Sequence, residues 1–216
     1  MILHVYEAAK KANTGEVYIA TPDQKIIDVI NSNGGKAILT SLDHQTGTDR
    51  IYEVFQTQLK NEPSIIVNLQ GDMPNIDPQS ITNLVSYMNK SQCDIGTLAS
   101  SFSSETELAD ENNVKVAVKK KLTDNNFGEA TDFFRVPLKT NENFYHHIGI
   151  YAFTNKALVR YVSLERSKLE LERNLEQLRA LENNMSIHVG FISSSPLSVD
   201  TKNDLIEVKK IMKNNE

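Results

Sequence analysis

At 216 residues, 39% hydrophobic and 24% charged, the chain has the composition of an ordinary soluble globular protein. A net charge of −5 with a pI near 5.6 argues against a nucleic-acid or membrane-surface binder, since those carry a basic face. No apolar run approaches the roughly 18 residues of a membrane span, the amino terminus lacks a secretory n-region, and the single Cys93 excludes an internal disulfide framework and points to the cytoplasm.

Ile2, Val5, Tyr6 and Ala9 recur at helical spacing, so the chain opens on a helix that ends near Asn13 to Gly15. A strand follows over Glu16 to Ala20, then a helix from Thr21 or Pro22 that buries Ile26, Ile27 and Ile30 and closes at Gly34 and Gly35. Ala37 to Thr40 is the next strand. This alternation predicts an α/β fold with a parallel sheet and right-handed crossovers. A doubly wound sheet normally begins with a strand and a glycine-rich phosphate turn. Either this fold is a variant, or its first strand is missing from the chain.

Thr46-Gly47-Thr48-Asp49-Arg50 precedes an amphipathic helix through Ile51, Val54 and Phe55. Two readings stand: a helix N-terminus capped by Thr46 or Thr48, or a backbone approach to a nucleotide at Gly47 with Arg50 for its phosphates. The run Ile65 to Leu69 reads as a strand buried on both faces. Gly71 and Pro74 end it, which puts Asp72 at the carboxyl edge of the strand, where ligands bind in open α/β sheets. Asp77-Pro78 starts another helix. Asp94 to Ser100 and Val114 to Val118 are strands, and Ala130 to Pro137 is extended with Arg135 as its lone cation.

The segment Asn141 to Asn143 reads as a polar turn before a strand over His146 to Phe153. The other histidines and Cys93 lack zinc-ligand spacing, and no nucleophile elbow is present. Helix is predicted over Ala157 to Tyr161 and Leu169 to Asn183, where Leu175, Leu178 and Leu181 share a side and leave Glu176 and Gln177 outside it. A strand over Ser186 to Ile192 and a helix from about Thr201 to Lys213 complete the pattern. Asp200, like Asp72, follows an apolar segment and precedes a helix. It reads as an N-cap or as the second carboxylate of a magnesium site that meets substrate phosphates.

Taken together, Gly47 to Arg50, Val67 to Asp72 with Pro74, His147 to Ala152, Ser163-Leu164, Leu175 to Leu181 with Ile187-His188-Val189, and Val199-Asp200-Thr201 resemble the 3-deoxy-manno-octulosonate (Kdo) cytidylyltransferases. The segments occur in that family's order over nearly the whole chain. The resemblance implies a three-layer, Rossmann-like nucleotide-diphosphosugar-transferase fold with a mostly parallel sheet. It implies one domain over residues 1–216, in which about 130–185 serve sugar binding and dimerisation. It implies transfer of CMP from CTP to Kdo for lipopolysaccharide synthesis, with Mg2+, in a cytoplasmic homodimer. Asp72 and Asp200 become catalytic magnesium ligands, and Gly47, Thr48 and Arg50 the nucleotide site. Gln70, Arg135, His147, Tyr151, Glu176 and Gln177 become the sugar-acid contacts. Arginine pairs with a carboxylate, while Gln and Glu suit hydroxyl groups.

Two features depart from the family. Its opening strand and R-x-x-S-x-R-L-P-G-K-P triphosphate loop are absent from these residues, so little turnover is expected of them alone. Met73 stands where a glutamate is usual. A sugar-binding remnant without turnover, or a cytidylyltransferase for another acidic sugar, are the alternatives.

Overall fold

The computed structural model describes residues 1–60, 62–124, 126–137, 143–199 and 201–214. In chain order the elements are α1 (Ile2–Ala12), β1 (Ile19–Thr21), α2 (Gln24–Ser32), β2 (Ala37–Leu39), α3 (Gly47–Thr57) and β3 (Ile65–Leu69). Then come α4 (Pro78–Lys90), β4 (Ile95–Ser100), α5 (Glu105–Ala109), β5 (Lys115–Val118), β6 (Phe127–Phe134) and β7 (Phe144–Thr154). The last are α6 (Asn155–Ser163), α7 (Lys168–Arg173), α8 (Leu178–Glu182), β8 (Ile187–Phe191) and α9 (Lys202–Asn214). The chain divides into two compact units. The first comprises Met1–Lys60, Gln70–Asn83 and Pro196–Glu216, the second Asn61–Leu69 and Leu84–Ser195.

In the first unit α1 buries Val5 and Tyr6 of its expected stripe together with Ala8 and Ala12, while Ile2 and Ala9 are only half-buried. It stops where Asn13 turns left-handed, at φ 51°, and the Asn13 amide bonds the Lys10 carbonyl. Asp23 caps α2 by accepting from the Lys25 amide. After α2 the backbone needs two glycines for different reasons. Gly34 has φ +72°, and a Cβ on Gly35 would stand 2.6 Å from Ile30 Cγ2. β1 and β2 pair in parallel, Ile19 opposite Ala37.

The second unit is built on a six-stranded sheet in the order β3-β7-β4-β8-β6-β5, with β7 also pairing β5. It is mixed rather than mostly parallel. β4 and β8 run parallel, while β7 enters antiparallel to β3, β4 and β5, and β6 antiparallel to β5 and β8. The alternating α/β pattern on which a parallel sheet was expected does not extend past β4, since β5, β6 and β7 follow one another without a long helix between them. β4 is buried at all six positions, and Phe133, Ile150, Ala152, Leu158 and Ile187 close the core around it. Between Thr97 and Leu98 the β4–β7 register slips, from Thr97 opposite Tyr151 to Leu98 opposite Ile148.

The helix expected over Leu169 to Asn183 is two helices. Asn174 adopts φ 52°, ψ 49°, which ends α7, and its amide bonds the Glu170 carbonyl. Glu176 and Gln177 therefore lie in the break before α8 and not on the outside of a continuous helix. No described helix is long and apolar enough to cross a membrane.

Candidate active site

In the first unit, the α3 N-terminus settles the capping question for Thr46. Its Oγ1 accepts the Asp49 amide at 3.2 Å and donates to Asp49 Oδ2 at 2.9 Å. Gly47 is then the first residue of the helix, and Thr48 is 1% exposed. The first amides of a helix point along its axis and favour an anion, so capping and nucleotide binding are compatible here. Arg50 is held by its Nη1, which donates to Thr40 Oγ1 at 2.7 Å and to the Ser41 carbonyl at 2.9 Å.

Asp72 lies three residues beyond the end of β3, as its sequence position requires. Its Oδ2 accepts from the Ser198 hydroxyl at 3.0 Å, and its carbonyl accepts the Val199 amide at 3.0 Å. The Leu197 amide bonds Asn75 Oδ1 at 3.0 Å. Oδ1 of Asp72 is buried and has no hydrogen-bond partner among the described residues. A carboxylate oxygen in that state is costly for the protein alone and suits a hard, oxygen-seeking cation. The donor fits magnesium. The other expected ligand, Asp200, lies outside the described residues. Gln70 is half-buried, and Met73 is buried at 5% exposure, filling its position with apolar volume.

In the second unit, three of the expected sugar contacts come together. His147 is buried on β7 with its ring 5.4 Å from that of Tyr151 and edge-on to Phe133 at 5.1 Å. Burial lowers the His147 pKa to about 3, so the ring is neutral. Burial, the carboxylate of Glu176 and the Tyr161 hydroxyl push the Tyr151 phenol well above its ordinary range, so it stays protonated as a donor. Glu176 is fixed through its carbonyl, which accepts the Tyr161 hydroxyl at 2.8 Å, and Gln177 beside it is 6% exposed. Arg135 follows the last residue of β6 in the same unit, with Nη1 donating to the carbonyls of Glu111 at 2.9 Å and Asn112 at 3.3 Å.

Sequence reasoning missed the groups that hold this break in place. Glu170, 0% exposed, accepts Arg179 through Nε at 2.8 Å and Nη2 at 2.6 Å, Arg166 Nε at 2.9 Å and the Ser167 amide at 3.1 Å. Burial pushes the Glu170 pKa up, but Arg179, Arg166 and the Ser167 amide outweigh it and leave the carboxyl ionised. The Arg179 guanidinium also lies over the Tyr161 ring, 4.7 Å from its centroid. A carboxylate nine residues before an arginine has no periodic signal. Thr97 and Ser198 were missed as well, although a hydroxyl inside the apolar run of β4 is a detectable anomaly.

The fold is that of the nucleotidyltransferases. A UDP-glucose pyrophosphorylase structure complexed with UDP-glucose matches all of this chain and 87% of that one at a TM-score of 0.71, with 12% identity. The family model described as cytidylyltransferase matches residues 1–187. A 3-deoxy-manno-octulosonate cytidylyltransferase of Bartonella henselae is 42% identical over 98% of this chain and 87% of its own length. One of Paramagnetospirillum magneticum is 36% identical over 99% and 87%. The structure of CMP:2-keto-3-deoxy-manno-octonic acid synthetase complexed with CTP matches all of this chain and 88% of that one, with a TM-score of 0.88 and 34% identity. The chain belongs to the 3-deoxy-manno-octulosonate cytidylyltransferase family.

Proposed function

We propose that this chain activates Kdo by transfer of CMP from CTP, with release of pyrophosphate, for lipopolysaccharide synthesis. The observation that carries the reading is the buried, unpartnered Oδ1 of Asp72 at the exit of β3, in a chain related along nearly its whole length to Kdo cytidylyltransferases. Asp72, together with Asp200, would hold magnesium. When bound, that ion neutralises charge on the triphosphate oxygens.

The remaining work falls to the chain's own groups. Gly47 and Thr48 offer the nucleotide the first turn of α3, and Arg50, oriented by Thr40 and Ser41, supplies a cation for its phosphates. Arg135 pairs with the carboxylate of the sugar acid. Gln70, His147, Tyr151, Glu176 and Gln177 hold its hydroxyl groups. The anomeric hydroxyl of Kdo attacks the α-phosphorus in line. A P–O bond forms as the bond to the leaving pyrophosphate breaks, and the hydroxyl proton passes to solvent. The residues accelerate this step by positioning and by offsetting charge. The reading extends to a cytoplasmic homodimer, as the family resemblance implies, which light scattering of the purified protein tests.

Calorimetric titration with Kdo, and with CTP in the presence of magnesium, combined with a pyrophosphate-release assay, tests the activity. Binding of both ligands is expected, with Kdo-dependent pyrophosphate release from CTP at the low rate set out above for these residues alone. Binding of neither overturns the reading, and release with a different sugar acid in preference to Kdo reassigns the substrate.

A further inference from the structure

The Thr97 hydroxyl sits among three polar atoms of β7. Its Oγ1 is 2.7 Å from the Ile150 carbonyl oxygen, 3.2 Å from the Ile148 carbonyl oxygen and 2.9 Å from Nε2 of His147. Thr97 is 0% exposed and lies where the β4–β7 register slips. A hydroxyl has one proton and two lone pairs, while a carbonyl oxygen only accepts. The proton must therefore point at a carbonyl, and Ile150 offers the shorter contact. Toward His147 the Thr97 oxygen has only a lone pair left, so Nε2 must carry the hydrogen.

The proton count fixes the rest of the ring. The buried imidazole is neutral, and a neutral imidazole with hydrogen on Nε2 has a bare lone pair on Nδ1. No described residue hydrogen-bonds that Nδ1, and the residue keeps 8% exposure. Of the groups packed on the ring, Phe133 meets it edge-on and has no polar hydrogen, and Tyr151 lies 5.4 Å away between ring centroids without a hydrogen bond to it. The adjacent His146, on the same strand, opposes a second positive charge.

We infer that Thr97 is a positioning residue that locks His147 in the Nε2-protonated tautomer, so that Nδ1 acts as a hydrogen-bond acceptor selecting a hydroxyl of the sugar acid and not its carboxylate. The tautomer follows from the protein alone. The hydroxyl contact rests on the proposed Kdo activation and sharpens it. Two oxygen classes of one substrate are sorted by two kinds of group, with the cationic Arg135 taking the carboxylate and the lone pair of His147 taking a donor O–H. A carboxylate placed against that lone pair would find no proton between the two acceptors.

Long-range 1H–15N correlation spectra of 15N-labelled protein test it, with His147 assigned among the five histidines by substitution. At neutral pH, His147 should show a protonated Nε2 and an unprotonated Nδ1. Thr97→Val should give an exchange-averaged pattern between tautomers, and Thr97→Ser should restore the original one. Adding Kdo alone should move the Nδ1 resonance as that nitrogen accepts a hydrogen bond. Thr97→Val should weaken Kdo binding roughly tenfold, as expected for one lost oriented hydrogen bond, with CTP affinity unchanged and Thr97→Ser near wild type. An Nδ1-protonated or doubly protonated ring overturns the tautomer assignment. The expected tautomer with a Kdo-insensitive Nδ1, in a protein that still binds Kdo, overturns the hydroxyl contact alone. Absence of any Kdo binding counts against the proposed substrate and leaves the tautomer standing.

Discussion

The hydroxyl of Ser198 donates to Oδ2 of Asp72 at 3.0 Å across 126 residues of sequence, and the next residue, Val199, donates its amide to the Asp72 carbonyl at 3.0 Å. The second bond is between backbone groups, so it survives any side-chain change at either residue. Two anchors on consecutive residues fix the course of the chain from Ser198 to Val199 beside Asp72, while Oδ1 of the carboxylate stays buried without a partner among the described residues. That leaves one oxygen holding the scaffold and one available to a cation.

Asp72→Asn separates those two roles. The amide keeps an acceptor for Ser198 and the backbone bond to Val199, so stability should change by no more than about 1 kcal/mol. Loss of the negative charge should lower magnesium-dependent CTP affinity and reduce pyrophosphate release by roughly 10²–10³-fold, the scale of removing one electrostatic group from a transition state. The checks are a urea melt, a magnesium titration of CTP binding and a release assay. An unaltered magnesium dependence would remove Asp72 from the metal site.

Arg135 tests the sugar-acid half separately. Its guanidinium is tied to two backbone carbonyls on one side through Nη1. Lys115, whose pKa burial lowers, lies within its electrostatic reach and bonds the Asp110 carbonyl at 2.6 Å. Arg135→Met should weaken Kdo binding by about tenfold to a hundredfold, as for one charge-assisted pair with a carboxylate, and leave CTP binding unchanged. Arg135→Lys should recover only part of the loss, because an ammonium cannot reproduce the fork. A reduced analogue of Kdo lacking the carboxylate should bind wild type and Arg135→Met alike.

These side chains were differently legible in the sequence. The place of Asp72 just past a strand was legible because β3 has a length and an apolar signature, although only Asn68 of it is fully buried, and Gly71 and Pro74 mark where it ends. The helix break at Asn174 was not, because the steps from Leu171 to Leu175, Leu178 and Leu181 keep a helical spacing across it. Only the left-handed backbone at Asn174 interrupts the helix, and asparagine adopts that conformation at too little cost to be a reliable signal. The sheet's mixed character was hidden for a related reason: strand direction depends on what connects the strands, and the residues of β5 to β7 read alike in either direction. Thr97 and His147 lie 50 residues apart, on strands whose register is shifted between them, and no local pattern pairs them.

The Glu170–Arg179 pair is expected to matter through the charge left behind when one partner is removed. Arg179→Leu leaves a fully buried carboxylate short of two of its donors, which should cost about 3–5 kcal/mol. Glu170→Met with Arg179→Leu removes both charges and should return most of that stability, since a buried ion pair is often matched by apolar side chains of similar volume. Urea unfolding of both variants measures this. The double variant also loses the guanidinium over the Tyr161 ring, whose hydroxyl holds the Glu176 carbonyl. Kdo affinity should therefore stay low even where stability recovers. A double variant that regains both would make the pair a matter of stability only.

The pH dependence of stability carries a sign that follows from the burial of His147. Its folded pKa, about 3, lies below the ordinary 6.5 because burial disfavours the imidazolium. Above pH 6.5 neither the folded nor the unfolded chain binds this proton, and the contribution to stability is complete and flat. As pH falls below 6.5 the unfolded chain takes up a proton that the folded chain refuses, so stability declines until the folded pKa is reached. The decline is about 1.4 kcal/mol per pH unit while the difference holds, which makes roughly 2 kcal/mol between pH 6.5 and 5. His146 and His188 are lowered in the same direction by burial and add their own slopes. The measurement is therefore a difference: the urea-unfolding free energy of wild type at pH 7 minus that at pH 5, compared with the same quantity for His147→Gln. Glutamine does not titrate, so the variant should lose less stability on acidification than wild type by roughly 2 kcal/mol. Equal losses in the two proteins would mean that position 147 takes up its proton as readily when folded as when unfolded, and the buried neutral ring would have to be given up.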